Sequence, residues 1–236
     1  MRCIAVIPAY NNAGSIADTI RALVSDARVS EVLVIDDGSS DLTSARATEA
    51  GARVVRLARN SGKGRAMEKA VSETEGSDVV LMVDADTGDS ANAVLSLLRP
   101  IELGQADMVV GVLPPAGSSG GFGLVRDLAS LLIRITSGYS ARAPMSGQRA
   151  IRREVLRACL PLAEGFAIDA ALTSDAAQKG FTIVEQDVDM THDHRGRSLR
   201  GFLHRANQGV DLLRAFTPRL ASPRRRRRGP RPHRPR

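Results

Sequence analysis

Five short apolar runs, at residues 3–7, 31–35, 53–57, 79–83 and 108–112, alternate with stretches whose apolar residues recur at helical spacing. No other feature constrains the fold as much. Strands that are apolar on both faces are those of a parallel sheet covered on each side, and parallel neighbours need a crossover, usually a helix, between them. The expected class is therefore α/β, with a mostly parallel central sheet flanked by helices. Ile16, Ile20, Leu23 and Val24 follow Ser15, which can cap their helix, and Ser40 or Asp41 can cap another that begins near Leu42. A third helix is expected at 63–74, with Ala66, Met67, Ala70 and Val71 on one side. Beyond the fifth run, the Pro, Gly and Ser residues of 114–121 predict a mobile loop. The amphipathic stripe of 122–136 predicts a helix packed on the sheet, or, as a second reading, one that faces lipid. Further helices are expected at 169–179 and 199–214, with a strand at 182–188.

A chain of 236 residues with 43% hydrophobic content can build one sizeable core, so one domain over 1–217 with an appendage at 218–236 is expected. The formal charge of +7 is local. Eight Arg and no acid occupy the last 13 positions, and without those eight the charge becomes −1. The Pro, Ser and Arg composition after 217 cannot bury apolar surface and predicts a disordered tail. That tail has no interleaved aromatic residues for base stacking, so no specific nucleic acid is expected. Its charge makes it a candidate for peripheral contact with anionic membrane. Cys3 and Cys159 have neither metal-ligand nor redox spacing, which suits reduced thiols in the cytoplasm. No run reaches the length of a membrane span, so a soluble cytoplasmic body, peripheral at most at the inner membrane face, is the expectation.

Ligands of parallel α/β sheets sit beyond the carboxyl ends of the strands. Three strand ends here deliver polar groups: Pro8-Ala9-Tyr10-Asn11-Asn12, Asp36-Asp37-Gly38-Ser39-Ser40-Asp41 and Asp84-Ala85-Asp86. Any one of them reads equally as a turn. On an extended strand Asp84 and Asp86 would point the same way, with Ala85 opposite, and hard carboxylate oxygens suit Mg²⁺ or Mn²⁺.

Together with Gly62-Lys63-Gly64, these segments resemble the family 2 glycosyltransferases of GT-A fold, clearly over residues 3 to about 112 and less specifically to about 214. The likeness extends to the glucosyl-3-phosphoglycerate synthases, which share the nucleotide-sugar half. The resemblance implies a metal-dependent transferase that moves a sugar from a nucleoside diphosphate sugar, with UDP favoured, to a hydroxyl acceptor. The acceptor could be lipid-linked, a saccharide or a small phosphorylated acid. It makes 1–112 the nucleotide-sugar half and 113–217 the acceptor half. Pro8, Ala9, Tyr10, Asn11 and either Asp36 or Asp37 are implied at the base and ribose. Lys63 is placed beside the nucleotide, with Asp84 and Ala85 at the ribose or the metal's water shell. Asp86 is the implied metal ligand, joined by His192 or alternatively His194. Gly147, Gln148 and Arg149 are implied near sugar or acceptor, with Arg149 able to meet a phosphate. The basic residues Arg195, Arg197 and Arg200 could close over the diphosphate.

Glu164-Gly165-Phe166-Ala167-Ile168-Asp169 also resembles the family's acceptor-facing segment; the resemblance implies inversion, with Asp169 as the candidate general base, whereas its bland role is a helix cap. Retention, as in a glucosyl-3-phosphoglycerate synthase-like transferase, is the alternative. Two other readings remain at this point. A sugar-1-phosphate nucleotidyltransferase would share the layered architecture but needs a Gly-rich, Arg-containing loop where Pro8-Ala9-Tyr10-Asn11 stands. A non-enzymatic nucleic-acid binder would act through the Arg tail.

Overall fold

Seven strands form one sheet: β1 (Cys3–Ala9), β2 (Val29–Asp36), β3 (Arg53–Arg56), β4 (Val79–Met82), β5 (Met108–Val112), β6 (Arg149–Arg152) and β7 (Ile183–Asp187). Their order across the sheet is β3-β2-β1-β4-β6-β5-β7. This is a computed structural model that describes residues 1–114, 122–190 and 200–221. Only β6 runs against its neighbours, antiparallel to both β4 and β5. Its apolar content is Ala150 and Ile151 between two Arg, too short a run to read as a strand.

The helices are α1 (Ile16–Val24), α2 (Thr43–Glu49), α3 (Lys63–Glu73), α4 (Leu98–Glu102), α5 (Phe122–Ser137), α6 (Arg153–Ala158), α7 (Ile168–Gln178) and α8 (Arg200–Ala221). Two 3₁₀ segments, Gly88–Leu97 and Gly165–Ala167, complete the described elements. Alternation along β1 explains its unbroken apolar run. Cys3, Ala5 and Ile7 face a layer with Ile16, Ile20, Leu23 and Val94, whereas Ile4 and Val6 face Met67, Ala70 and Leu172 on the other side.

The apolar stripe of α5 does not lie on the sheet. Ala129, Leu132 and Ile133 pack with Ala170 and Ala171 of α7 and Leu212 and Phe216 of α8. α7 is thus enclosed on both sides, by the sheet through Ile168 and Leu172 and by α5 and α8 through its alanines. α8 continues through Pro218 to Ala221, beyond the expected boundary at 217. Fully buried Phe216 and the ion pair of Arg219 with Asp175 hold its last turn against α7. The loop at 115–121 and the tail at 222–236, expected to be mobile and disordered, lie outside the described residues.

Candidate active site

β4 ends at Met82, and Asp84-Ala85-Asp86 forms a tight turn rather than an extension of the strand. The alternation expected of the two carboxylates does not apply there. The turn is pinned from α1: Ser15 Oγ and Thr19 Oγ1 donate to the Ala85 carbonyl at 2.9 and 3.2 Å. Ser15 therefore makes no side-chain cap bond to its own helix. Thr19 also accepts from the Gly88 N–H at 2.9 Å. Sequence reasoning missed Thr19, whose signal was a hydroxyl within the apolar stripe Ile16, Ile20, Leu23.

The turn separates the two carboxylates by environment. Asp86 is exposed and makes no hydrogen bond or ion pair among the described residues. Asp84 is half-buried and bonded through both oxygens. Its Oδ1 accepts from Lys63 Nζ at 3.0 Å and its Oδ2 from Gln148 Nε2 at 2.9 Å. Gln148 comes from the residues that enter β6. Met82 pairs with Arg149, so the reversed strand carries Gln148 and Gly147 alongside Asp84. Gly147 is required by space: a Cβ there would stand 2.5 Å from both Asp84 oxygens and 2.7 Å from Lys63 Nζ.

Lys63 joins two distant parts of the chain. Besides Asp84 it donates to Asp169 Oδ2 at 3.0 Å, spanning 106 residues of sequence. Burial pulls the Lys63 ammonium toward its neutral form, but the Asp169 and Asp84 carboxylates outweigh that and hold its pKa above the usual lysine value. The start of α3 that carries Lys63 is pressed onto the 163–164 segment, because a Cβ at Gly64 would overlap the Ala163 carbonyl.

Asp169 lies in the first turn of α7, 4% exposed, and points at Lys63 rather than capping its helix. Behind it stands Arg149, fully buried. Arg149 Nε donates to the Ser146 carbonyl at 2.8 Å and Nη1 to Thr173 Oγ1 at 2.8 Å, with Nε 3.8 Å from Asp169 Oδ1. Burial lowers the Arg149 pKa, opposed by the charges of Asp169, Glu185 and Asp84. The phosphate contact expected of Arg149 is not available in this arrangement, because its guanidinium is enclosed by Ser146, Thr173 and Met108.

At the ends of β1 and β2, both aspartates that close the second strand are turned inward. Asp37 accepts from Ser61 N–H and Gly62 N–H at 2.8 and 2.7 Å, so it holds the loop that launches α3. Asp36 accepts from Ser39 N–H at 2.8 Å and from the Ser44 hydroxyl. Asn11, in the left-handed region at φ 54°, ties the first strand end to the second: its N–H donates to Ser39 Oγ and its Oδ1 accepts from Ser40 N–H, both at 2.9 Å. Tyr10 is left 47% exposed beside half-buried Pro8 and buried Ala9.

His192, His194, Arg195 and Arg197 lie outside the described residues, and no side chain is described for Arg200. Among the described residues no cluster of three or more His, Cys, Asp or Glu could hold a metal by itself. The donor set nonetheless fits a hard divalent cation that takes its other ligands from a diphosphate. Asp86 offers a free carboxylate, and Asp84 stands two residues away in the same turn.

Residues 4–160 match the family model described as glycosyl transferase family 2. The chain belongs to glycosyl transferase family 2. Membership decides between the glycosyltransferase and nucleotidyltransferase readings in favour of the first. Among relatives within reach of family 2, the glycosyltransferase AglJ of Haloferax volcanii is 33% identical over 181 residues, covering 73% of this chain and 57% of that protein. The glucosyl-3-phosphoglycerate synthase of Mycolicibacterium paratuberculosis is 31% identical over 226 residues, covering 82% and 66%. The chain thus spans less than two thirds of either relative's length. The crystal structure of the Mycobacterium tuberculosis glucosyl-3-phosphoglycerate synthase with phosphoglyceric acid superposes with a TM-score of 0.78 at 26% identity, over 94% of this chain and 81% of that one. The fold is accordingly the GT-A fold that the sequence resemblance implied. That mycobacterial enzyme has also been solved with Mg²⁺ and UDP, and with Mn²⁺ and UDP-glucose. No helix among the described residues is long and apolar enough to cross a membrane.

Proposed function

We propose that this chain transfers a sugar from a UDP-sugar to a hydroxyl acceptor with the help of Mg²⁺ or Mn²⁺. The observation that carries the reading is Lys63, 3.0 Å from both Asp84 and Asp169 at the carboxyl edge of the sheet. One ammonium there adjoins both the turn suited to a diphosphate and a helix of the expected acceptor half, α7. The mycobacterial structures with UDP, UDP-glucose and divalent metal support the donor and the cation. Pro8, Ala9 and the exposed Tyr10 would line the base, with Asp37 acting through the Ser61-Gly62 loop. Asp86 would hold the cation, with His192 or His194 as a further ligand. When bound, the metal offsets the charge that builds on the departing diphosphate. Gln148 and Lys63 fix the Asp84 carboxylate, and Gly147 leaves room for that pair.

Two stereochemical outcomes follow from two roles for Asp169. As a general base it would take the acceptor hydroxyl proton, and the reaction would invert. Its 4% exposure and its bond to Lys63 favour the second role, in which it orients the sugar and the reaction retains configuration. Proton NMR of the product's anomeric centre separates the two: an inverted product is expected if Asp169 is the base, and a retained one removes that assignment.

The proposal is tested by release of UDP from UDP-glucose, with phosphoglycerate, a polyprenyl phosphate and a saccharide as acceptors. Release is expected to need added Mn²⁺ or Mg²⁺ and to fall about a hundredfold or more in Asp86→Asn, with the circular dichroism spectrum unchanged. Turnover that persists in that variant, or in excess EDTA, would sink the metal assignment.

A further inference from the structure

The 3₁₀ segment Gly165–Ala167 runs directly into α7, and neither element is capped from its own sequence: Glu164 and Ala167, the residues that precede them, make no side-chain cap bond. The first N–H groups of a helix have no partner within it and favour a negative group from outside. Here α8 supplies one. Asp211, half-buried and 45 residues further along the chain, accepts from the Phe166 N–H through Oδ2 at 3.3 Å. Its carboxylate fills the space that a Cβ on Gly165 would take, and Gly165 is in the left-handed region at φ 65°. Leu212, the next residue, is fully buried in the cluster with Ala167 and Ala170, which fixes the backbone that carries Asp211. The stretch that leads to Gly165 is held by α3. Glu68 Oε1 accepts from the Leu162 N–H at 3.1 Å, and the Ala163 carbonyl stands where a Cβ on Gly64 would be. Residues 162–166 are thus gripped by two helices, and Asp169 follows them in the first turn of α7 with its bond to Lys63 of α3.

We propose that Asp211 is a positioning residue for sugar transfer: by bonding the Phe166 N–H it sets the entry of α7 so that Asp169 meets Lys63. The inference rests on the reading of Lys63, Asp84 and Asp169 as the transfer site. Asp211 makes no hydrogen bond or ion pair with any of the three among the described residues, so it acts on them through the backbone of 165–169. A displacement of about 1 Å in a positioned group can cost about a hundredfold in rate, which gives one bond at the entry of this helix leverage over the reaction. Anchoring α8 does not account for Asp211. Leu212, Phe216 and the Arg219–Asp175 pair already attach that helix, and none of them satisfies the Phe166 N–H.

The test is steady-state UDP release from UDP-glucose by Asp211→Ala, Asp211→Asn and Arg219→Ala, each well below its melting temperature. Asp211→Ala is expected to lower kcat about tenfold while the KM for UDP-glucose stays within about twofold of wild type. Asp211→Asn keeps an acceptor oxygen and should restore most of the rate. Arg219→Ala loosens α8 at Asp175, away from Phe166, and should leave kcat unchanged. A wild-type kcat in Asp211→Ala overturns the proposal, and so does an equal loss in Arg219→Ala, which would reduce the effect to the packing of α8. A second measurement needs no turnover: the urea midpoints of Asp211→Ala, Lys63→Met and the double variant. Sites with no shared partner add their effects, whereas these two are expected to lose less together than the sum of their separate shifts, because both act on the segment that carries Asp169. Additive shifts overturn the proposal even in an active enzyme. Coupled midpoints in a protein that releases no UDP would instead sink the sugar-transfer reading and leave the hold of Asp211 on Asp169 standing.

Discussion

Gly147 and Lys63 show how one missing side chain and one shared charge set a site. Lys63 neutralises two carboxylates that would otherwise repel across a half-buried corner, and it can approach only because Gly147 carries nothing beyond its Cα. Gly147→Ala would push a methyl into the Asp84 oxygens, which Gln148 and Lys63 hold in place. A loss of about 1–3 kcal/mol in urea unfolding is expected, as for other overpacked sites. UDP release should fall at least about tenfold as the carboxylate is displaced. Wild-type stability and turnover in this variant would mean that the pair yields freely. The Lys63 contacts could not be read from sequence, because nothing local marks a pairing across 106 residues. Arg149 misled for a related reason. Its residue type suggests phosphate, yet a fully buried guanidinium serves the packing of α7 on β6.

Among the elements, α8 is the one whose attachment rests on few groups. Phe216 is fully buried between α5 and α7, so Phe216→Ala should cost about 3–5 kcal/mol in chemical denaturation. Leu213→Ala, three residues earlier on the exposed side of the helix, should change stability by less than about 0.5 kcal/mol. Equal effects at the two positions would contradict the described orientation of the helix. The sequence pattern marks 199–214 as helical, but the last turn, through Pro218, depends on Phe216 and on the Arg219–Asp175 pair, both tertiary. The stripe of α5 was equally visible as amphipathic. What it packs on was not, since periodicity tells which face is apolar and never which partner covers it.

Over the whole molecule, the parallel framework was legible because strands buried on both faces leave unbroken apolar runs, whereas the reversed β6 carries only Ala150 and Ile151 between two Arg. The same two-sided burial controls the thiols. Cys3 on β1 and Cys159 after α6 are both enclosed, and burial pushes each thiol up to about 12. Neither is expected to react with a disulfide reagent at pH 8 in the native state, and both should react once denaturant unfolds the chain. Fast labelling of either under native conditions would show that its layer opens without global unfolding. β6 has one more effect. β1, β2 and β4 present to this edge the residues that follow them, while β6 presents those that precede it, so its alignment with β4 decides which residue stops beside Asp84. Slid by one position, β6 would set Gln148 or Ser146 where only Gly147 has room. The glycine thus works as a gauge that admits one alignment of the two strands, and a chain assembled out of step could not close this corner.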